Sequence, residues 1–245
     1  MTPRPSTVRA ATVAVAVLAA ATWSAHAEAA PPSPELMAKL AESAARFEAL
    51  ALHGRYSFAG HMETVDGDGR ADDVKEMRAH VEPSGELPRM IIDRYLEDGE
   101  DKTEEARADA VKREEKRRRD PERHKKRLRM PTLASEQGRY DFDVVETDPR
   151  DPSRVKLAFK PRAPDEHTLE GTAWVDGQKG TVLSAGFKLS RTSLFVRYVH
   201  VTVVFGADTA FGPAISRIDF EGEGGILFVR KHFRGSATLS DYRAP

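Results

Sequence analysis

The chain has 245 residues, a formal net charge of −1 and no cysteine. The length suits one domain of ordinary size, and the near-neutral balance gives no whole-chain attraction to nucleic acid or to a strongly anionic partner. The lack of cysteine excludes disulfides, cysteine metal sites and anchoring through a lipid-modified cysteine.

Arg4 and Arg9 form a basic start without acids, Ala10 to Ala21 is a short apolar run, and Ala25-His26-Ala27 or Ala27-Glu28-Ala29 offers an A-x-A cleavage site. This is the pattern of an export signal. The run is too short for a membrane span, which needs about 20 apolar residues. The expectation is a signal over 1–27, a Pro-rich leader over 28–33, and a soluble, monomeric, periplasmic chain over 34–245 folded as one domain. Ser33 is placed to cap a helix and Pro34 suits its first turn. Leu36, Met37, Leu40, Ala44, Phe47 and Ala51 follow at helical spacing, so Pro34 to Leu52 is an amphipathic helix ended by Gly54.

Period-two patterning then takes over. Strands are expected over Arg55–Val65, Asp73–Glu82 and Pro88–Leu96. The Asp66-Gly67-Asp68-Gly69 turn lacks the later acidic positions of a calcium loop, and a hairpin turn accounts for it. Asp98 to Met130 interrupts the sheet. Thr103 is a candidate cap for a helix with Glu104 and Glu105 in its first turn. Ala106, Ala108, Ala110 and Val111 are its only apolar residues, and Asp120-Pro121 opens a short second helix over Glu122 to Leu128. From Lys112 to Arg129 there are eleven Lys or Arg against four Asp or Glu, a net of +7. With so little to bury, this insertion is expected to project into solvent. Arg117, Arg118, Arg119, Lys125, Lys126 and Arg127 are the candidates for contact with an anionic surface. The alternative is a solvated helix with internal pairs such as Glu115 with Arg119.

The sheet resumes with strands over Arg139–Glu146, Arg154–Pro161, Thr168–Asp176, Thr181–Ser190 and Ser193–Phe205. Phe195 to Phe205 is apolar on both parities, which implies cover on both faces or an apolar cavity on one. The chain ends in a hairpin of Ile215–Glu223 and Ile226–Tyr242. A turn at Gly224-Gly225 sets Phe220 opposite Val229 and Gly222 opposite Leu227. The sum is a mainly β (α+β) chain of about ten antiparallel strands. It forms a strongly curved sheet or open half-barrel, with an N-terminal amphipathic helix and the charged helical insertion over 98–130.

No catalytic constellation stands out. The histidines are scattered without ligand spacing, so no metal or cofactor is implied. Glu221 and Glu223 read as a structural ladder, and His200 as a core or cavity histidine. Nucleic acid is excluded by compartment and by the lack of aromatic interleaving in the basic segment. The strand aromatics serve either as sheet core or as the lining of a pocket for an acyl chain or another apolar ligand. The cavity candidates are Tyr56, Phe58, Tyr95, Phe142, Trp174, Phe187, Phe195 and Tyr198.

An export signal, an amphipathic helix, a long antiparallel run and a helical insertion after the third strand together resemble the LolA/LolB-like superfamily of periplasmic lipoprotein-localisation factors and RseB-like sensors. The resemblance spans roughly Pro34 to Tyr242. It implies an unclosed barrel whose helices lie over an apolar cavity that takes up acyl chains, and a non-enzymatic carrier of lipid or lipoprotein acyl chains. The alternative is a sensor module that binds an envelope protein or an anionic surface through the sheet edge or the basic arm, with peripheral membrane contact at most. Two features depart from the pattern. The insertion is more charged than a hydrophobic lid, and the anchoring cysteine of the lipoprotein members is missing. N-terminal sequencing of the envelope-fraction protein should find cleavage after Ala27 or Ala29. An intact Met1 end on a membrane-bound form would refute the signal reading.

Overall fold

The computed structural model describes residues 29–66, 69–84, 88–119, 128–192, 196–226 and 229–243. The signal, the second insertion helix, Phe195, Lys125, Lys126 and Arg127 lie outside the described residues. Helix α1 (Pro34–His53) begins where Ser33 Oγ accepts from the Leu36 amide at 3.2 Å and ends with Gly54, whose amide donates to the Leu50 carbonyl. The long strands are β1 (Arg55–Val65), β2 (Ala71–Glu82), β3 (Arg89–Glu97), β5 (Tyr140–Thr147), β6 (Arg154–Pro161), β7 (Leu169–Asp176), β8 (Thr181–Leu189), β9 (Val196–Val204), β12 (Arg217–Ile226) and β13 (Val229–Arg243). Short elements that the sequence pattern did not reveal are β4 (Glu100–Asp101), α3 (Ala134–Gln137), β10 (Ala207–Thr209) and β11 (Gly212–Ala214). Two- and three-residue strands carry too little periodicity to be read. Helix α2 (Thr103–Arg119) is the first part of the charged insertion.

One open, curved, antiparallel sheet holds eleven strands in the order β4-β3-β2-β1-β13-β12-β9-β8-β7-β6-β5. The last strand sits in its middle, paired with β1 on one side and β12 on the other. Register alignment carries one row of side chains across the inner face. Val144, Leu157, Ala173, Ala185 and Val203 lie in line on β5 to β9. Ile218, Ala237, Gly60, Met77 and Tyr95 continue it to β3. The outer face carries ion-pair ladders such as Glu63 with Arg234 at 2.8 Å. This in–out alternation is what a sheet wet on one side requires.

The final hairpin differs from the expected register. Phe220 pairs with Gly235 rather than Val229, a shift of six residues, and Gly222 pairs with Phe233. Gly224 and Gly225 are extended strand residues opposite Lys231 and Arg230. The physical reason lies in two aromatic–glycine pairs. A side chain at Gly222 would meet the Phe233 ring at 2.3 Å, and one at Gly235 would meet the Phe220 ring at 2.5 Å. Each ring therefore occupies the space its partner glycine leaves, and the two rings sit 6.5 Å apart. An even shift keeps every residue on its expected face.

Helix α1 covers the β5–β9 half of the inner face. Leu36 and Leu40 enter a core with Tyr140, Leu157, Val175 and Val182, and Phe47 meets Phe205 edge-on at 5.4 Å. The outer parity of β9 is uncovered. Tyr198 and Val204 are exposed there, so the two-sided apolar pattern does not signal cover on both faces. Leu40 is 1 % exposed, and Leu40→Ala should cost about 2–5 kcal/mol, read as a shift in the urea midpoint. A loss below about 1 kcal/mol would mean that α1 is not the cover of this half.

Candidate functional site

The other half of the inner face, over β1, β2, β3, β12 and β13, lies beneath α2. Between them is a cavity of about 510 Å³. Its sheet wall is apolar, with Phe58, Met62, Met77, Ile92, Phe220 and Ala237. Its helix wall is Ala106 and Ala110, one turn apart on the same stripe. The Phe58 ring lies across Gly60, where any side chain would meet it at 2.7 Å, so the glycine lets the aromatic lie flat along the wall.

Lys112, Arg113, Glu115, Lys116 and Arg119 of the charged segment are exposed, as expected, but the start of the insertion is tied to the sheet. Arg107 donates from Nε to the Ile92 carbonyl at 2.8 Å and from Nη2 to the Asp93 carbonyl at 3.1 Å. Those carbonyls belong to β3 beyond the short β4, so a charged side chain of the helix satisfies an open sheet edge. The Thr103 hydroxyl accepts from the Tyr95 amide at 2.9 Å, and the Lys102 amide donates to the Tyr95 carbonyl. Asp101 rather than Thr103 takes the capping role. Its carboxylate accepts from the Thr103 amide, and its hydrogen bonds with Thr103 hold it below the usual carboxylate range. The return from the insertion is tied down as well. Buried Glu136 of α3 binds Arg129 at 3.1 Å and Arg139 at 2.8 Å, and Gln137 donates to the Met37 carbonyl of α1 at 2.8 Å.

Charged groups ring the mouth. Lys75 binds Asp73 at 2.5 Å and Glu97 at 3.1 Å. Its pKa is pushed up, first by the bond to Asp73. Lys102 binds Glu100 and Asp109 binds Lys112. Glu105 and Arg113 complete the rim. Burial, and then the charge of Glu97, raise the Tyr95 hydroxyl's pKa, while Lys75 and Arg113 oppose the rise.

Of the aromatic candidates the structure brings two to the cavity, Phe58 and Tyr95. Tyr56 stacks on Tyr242 at 5.2 Å, and burial raises both hydroxyls. Phe142 and Phe187 pack against the core beneath α1. Trp174 alternates with core residues Ala173 and Val175 and so lies on the outer face, with Lys156 Nζ 5.4 Å from its ring. Tyr198 is also outside, opposite Glu223. His200 is exposed opposite Glu221, not in the core or a cavity. Buried Glu223 is held by Arg197 at 3.2 Å, with His232 at 3.9 Å, and Glu221 lies opposite Arg234 and His200 in the register, the cross-strand pairing of a structural ladder. Among the described residues no cluster is placed to hold a metal ion. Of the basic candidates, Arg119 is exposed and pairs with Glu115 at 3.8 Å, while Arg117 and Arg118 fall in the last turn of α2. Sequence reasoning missed Met62, Met77, Ile92, Phe220 and Ala237. Met62 shares the parity of Phe58, and Ala106 and Ala110 form a small-residue stripe on an otherwise charged helix; these were the available signals.

Both edges of the sheet are engaged. Arg107 covers β3, and on β5 Val144 exchanges two backbone hydrogen bonds with Ala30 of the leader at 2.7 and 3.3 Å. Among the described residues no helix is long and apolar enough to cross a membrane.

No family model and no curated protein matches the chain. Among solved structures it is similar to a DUF1329 family protein from Desulfovibrio piger, with 10 % identity, a TM-score of 0.42, and 88 % of this chain and 94 % of that one covered. It is similar to a LolA superfamily protein from Nitrosomonas europaea, with 11 % identity, a TM-score of 0.36 and the same coverage, 88 % and 94 %. A chain of the Pseudomonas aeruginosa MucA/MucB complex is similar at 10 % identity and a TM-score of 0.21, over 86 % of this chain and 99 % of that one. These likenesses are remote and concern the arrangement of the chain; the cavity itself carries the functional argument.

Arg107→Ala removes both bonds to β3. It should release α2 locally, at about 1–3 kcal/mol, seen as faster amide exchange in Thr103–Ala110 with α1 unchanged. Unchanged exchange in α2 would show that the edge contact does not hold the helix.

Proposed function

We propose that the chain is an exported binding or carrier protein of the cell envelope that holds an apolar or lipid-like ligand between α2 and the sheet. The observation that carries this reading is the cavity of about 510 Å³ with an apolar wall and a charged rim. Its volume falls in the range of small-molecule sites, about 300–1,000 Å³. Ordinary packing faults are far smaller. The space is open to solvent at its charged rim, so an apolar ligand can reach the wall and displace water from it. The charged rim keeps the mouth wetted while the wall favours apolar matter, the division of labour a carrier needs. The reading assigns no catalytic step.

The test is titration with the neutral apolar fluorophore N-phenylnaphthylamine. Wild type should bind it saturably. Ala110→Trp, which fills the cavity from the helix side, should weaken binding by about tenfold or more while the melting temperature moves by less than about 4 °C. Equal binding by the variant would place the ligand elsewhere and overturn the reading.

A further inference from the structure

Resting on the carrier reading, we propose that the ligand is a single-chain anionic amphiphile, with one acyl chain in the cavity and its acidic head group at Arg113 and Tyr95. A water-sized group takes roughly 30 Å³ in a condensed phase, and a methylene is of similar size. A cavity of about 510 Å³ then holds on the order of seventeen such groups. That is one chain of common length. Two chains would need about twice the space and three chains about three times, and the wall on either side is already committed. Towards β12 and β13 the Phe220 ring fills the gap over Gly235. Beyond it the inner face is the packed core beneath α1.

Most of the rim charges are paired. Lys75 is bound to Asp73 and Glu97, Lys102 to Glu100, and Asp109 to Lys112. Among the described residues Arg113 makes no ion pair, and the Tyr95 hydroxyl has no hydrogen-bond partner. Arg113 continues the stripe of Ala106 and Ala110, so it stands at the end of the hollow wall. Arg113 and Tyr95 line the same cavity. A guanidinium and a phenol both donate hydrogen bonds that a carboxylate or a phosphate oxygen accepts. Glu105 is the other rim charge without an ion pair among the described residues. It lies two turns away along α2, about 12 Å, in the helix's first turn, where its charge is matched by the helix dipole. An acidic head is repelled from the Glu105 end and drawn to the Arg113 end, which fixes the direction in which the amphiphile enters.

Calorimetric titration of the whole mature chain tests this with four probes: palmitate, palmitoyl lysophosphatidate, hexadecanol, and dipalmitoyl phosphatidate delivered from vesicles. Palmitate or lysophosphatidate should bind with one molecule per chain, and whichever is tighter identifies the head as carboxylate or phosphate. Hexadecanol and the two-chain lipid should bind about tenfold more weakly or worse. The exposed substitution Arg113→Gln, and separately Tyr95→Phe, should weaken the anionic probe by about tenfold and leave hexadecanol unchanged. Equal affinity for palmitate and hexadecanol, or no effect of Arg113→Gln, overturns the head-group assignment. Equal binding of the two-chain lipid overturns the single-chain assignment. Failure of every probe, hexadecanol included, sinks the carrier reading itself.

Discussion

An open antiparallel sheet of eleven strands presents one continuous apolar face, and water must be kept from most of it. Each square ångström of apolar surface covered is worth about 25 cal/mol. Two helices provide the cover, and they differ in the size of what they bring. Helix α1 inserts Leu36 and Leu40 against Leu157 and Val175, and the two layers interdigitate into a filled core. Helix α2 brings only Ala106 and Ala110 to the apolar wall of Phe58, Met62, Met77, Ile92, Phe220 and Ala237. Side chains that small on the helix do not fill a helix–sheet gap of ordinary width. One face of one sheet thus yields a core at one end and a cavity at the other.

That arrangement requires α2 to be held by something other than packing, because alanines supply little. The holding contacts are polar. Arg107 satisfies the carbonyls of Ile92 and Asp93, and Thr103 and Lys102 satisfy the backbone of Tyr95. On the far side of the insertion the buried Glu136, bound by Arg129 and Arg139, fixes the chain's return against α1. A buried carboxylate is tolerated only with such partners. A strongly charged helix is therefore compatible with a lid. Its charges serve the sheet edge and the rim, and its small residues serve the cavity.

Much of this fold was legible from residue order. The spacing of Leu36, Leu40 and Ala44 gave α1, and strand parity placed the long strands to within a few residues because alternation over eight or more residues is hard to mistake. The hairpin register was not legible. Gly224-Gly225 carries the sequence signature of a tight turn, while the deciding contacts, Phe220 over Gly235 and Phe233 over Gly222, are long-range and invisible to local propensity. The cavity was half legible. Phe58 and Tyr95 stood out as aromatics, but Phe142 and Phe187, equally prominent, lie beneath α1 because the two halves of the inner face look alike in sequence. What separates them is the size of the residues on the opposing helix. Trp174 and Tyr198 show the limit of residue type as a guide, since parity puts both on the outer face.

The central claim is that the α2 half of the sheet encloses a ligand site by construction. Native mass spectrometry of the protein purified gently from the envelope, followed by lipid extraction, tests it most directly. The account expects a fraction of the protein to carry one bound acyl-chain-sized adduct, absent from the Ala110→Trp variant. Wild type free of any adduct, even after incubation with the envelope's own lipid extract, or an adduct retained in full by the variant, would contradict it.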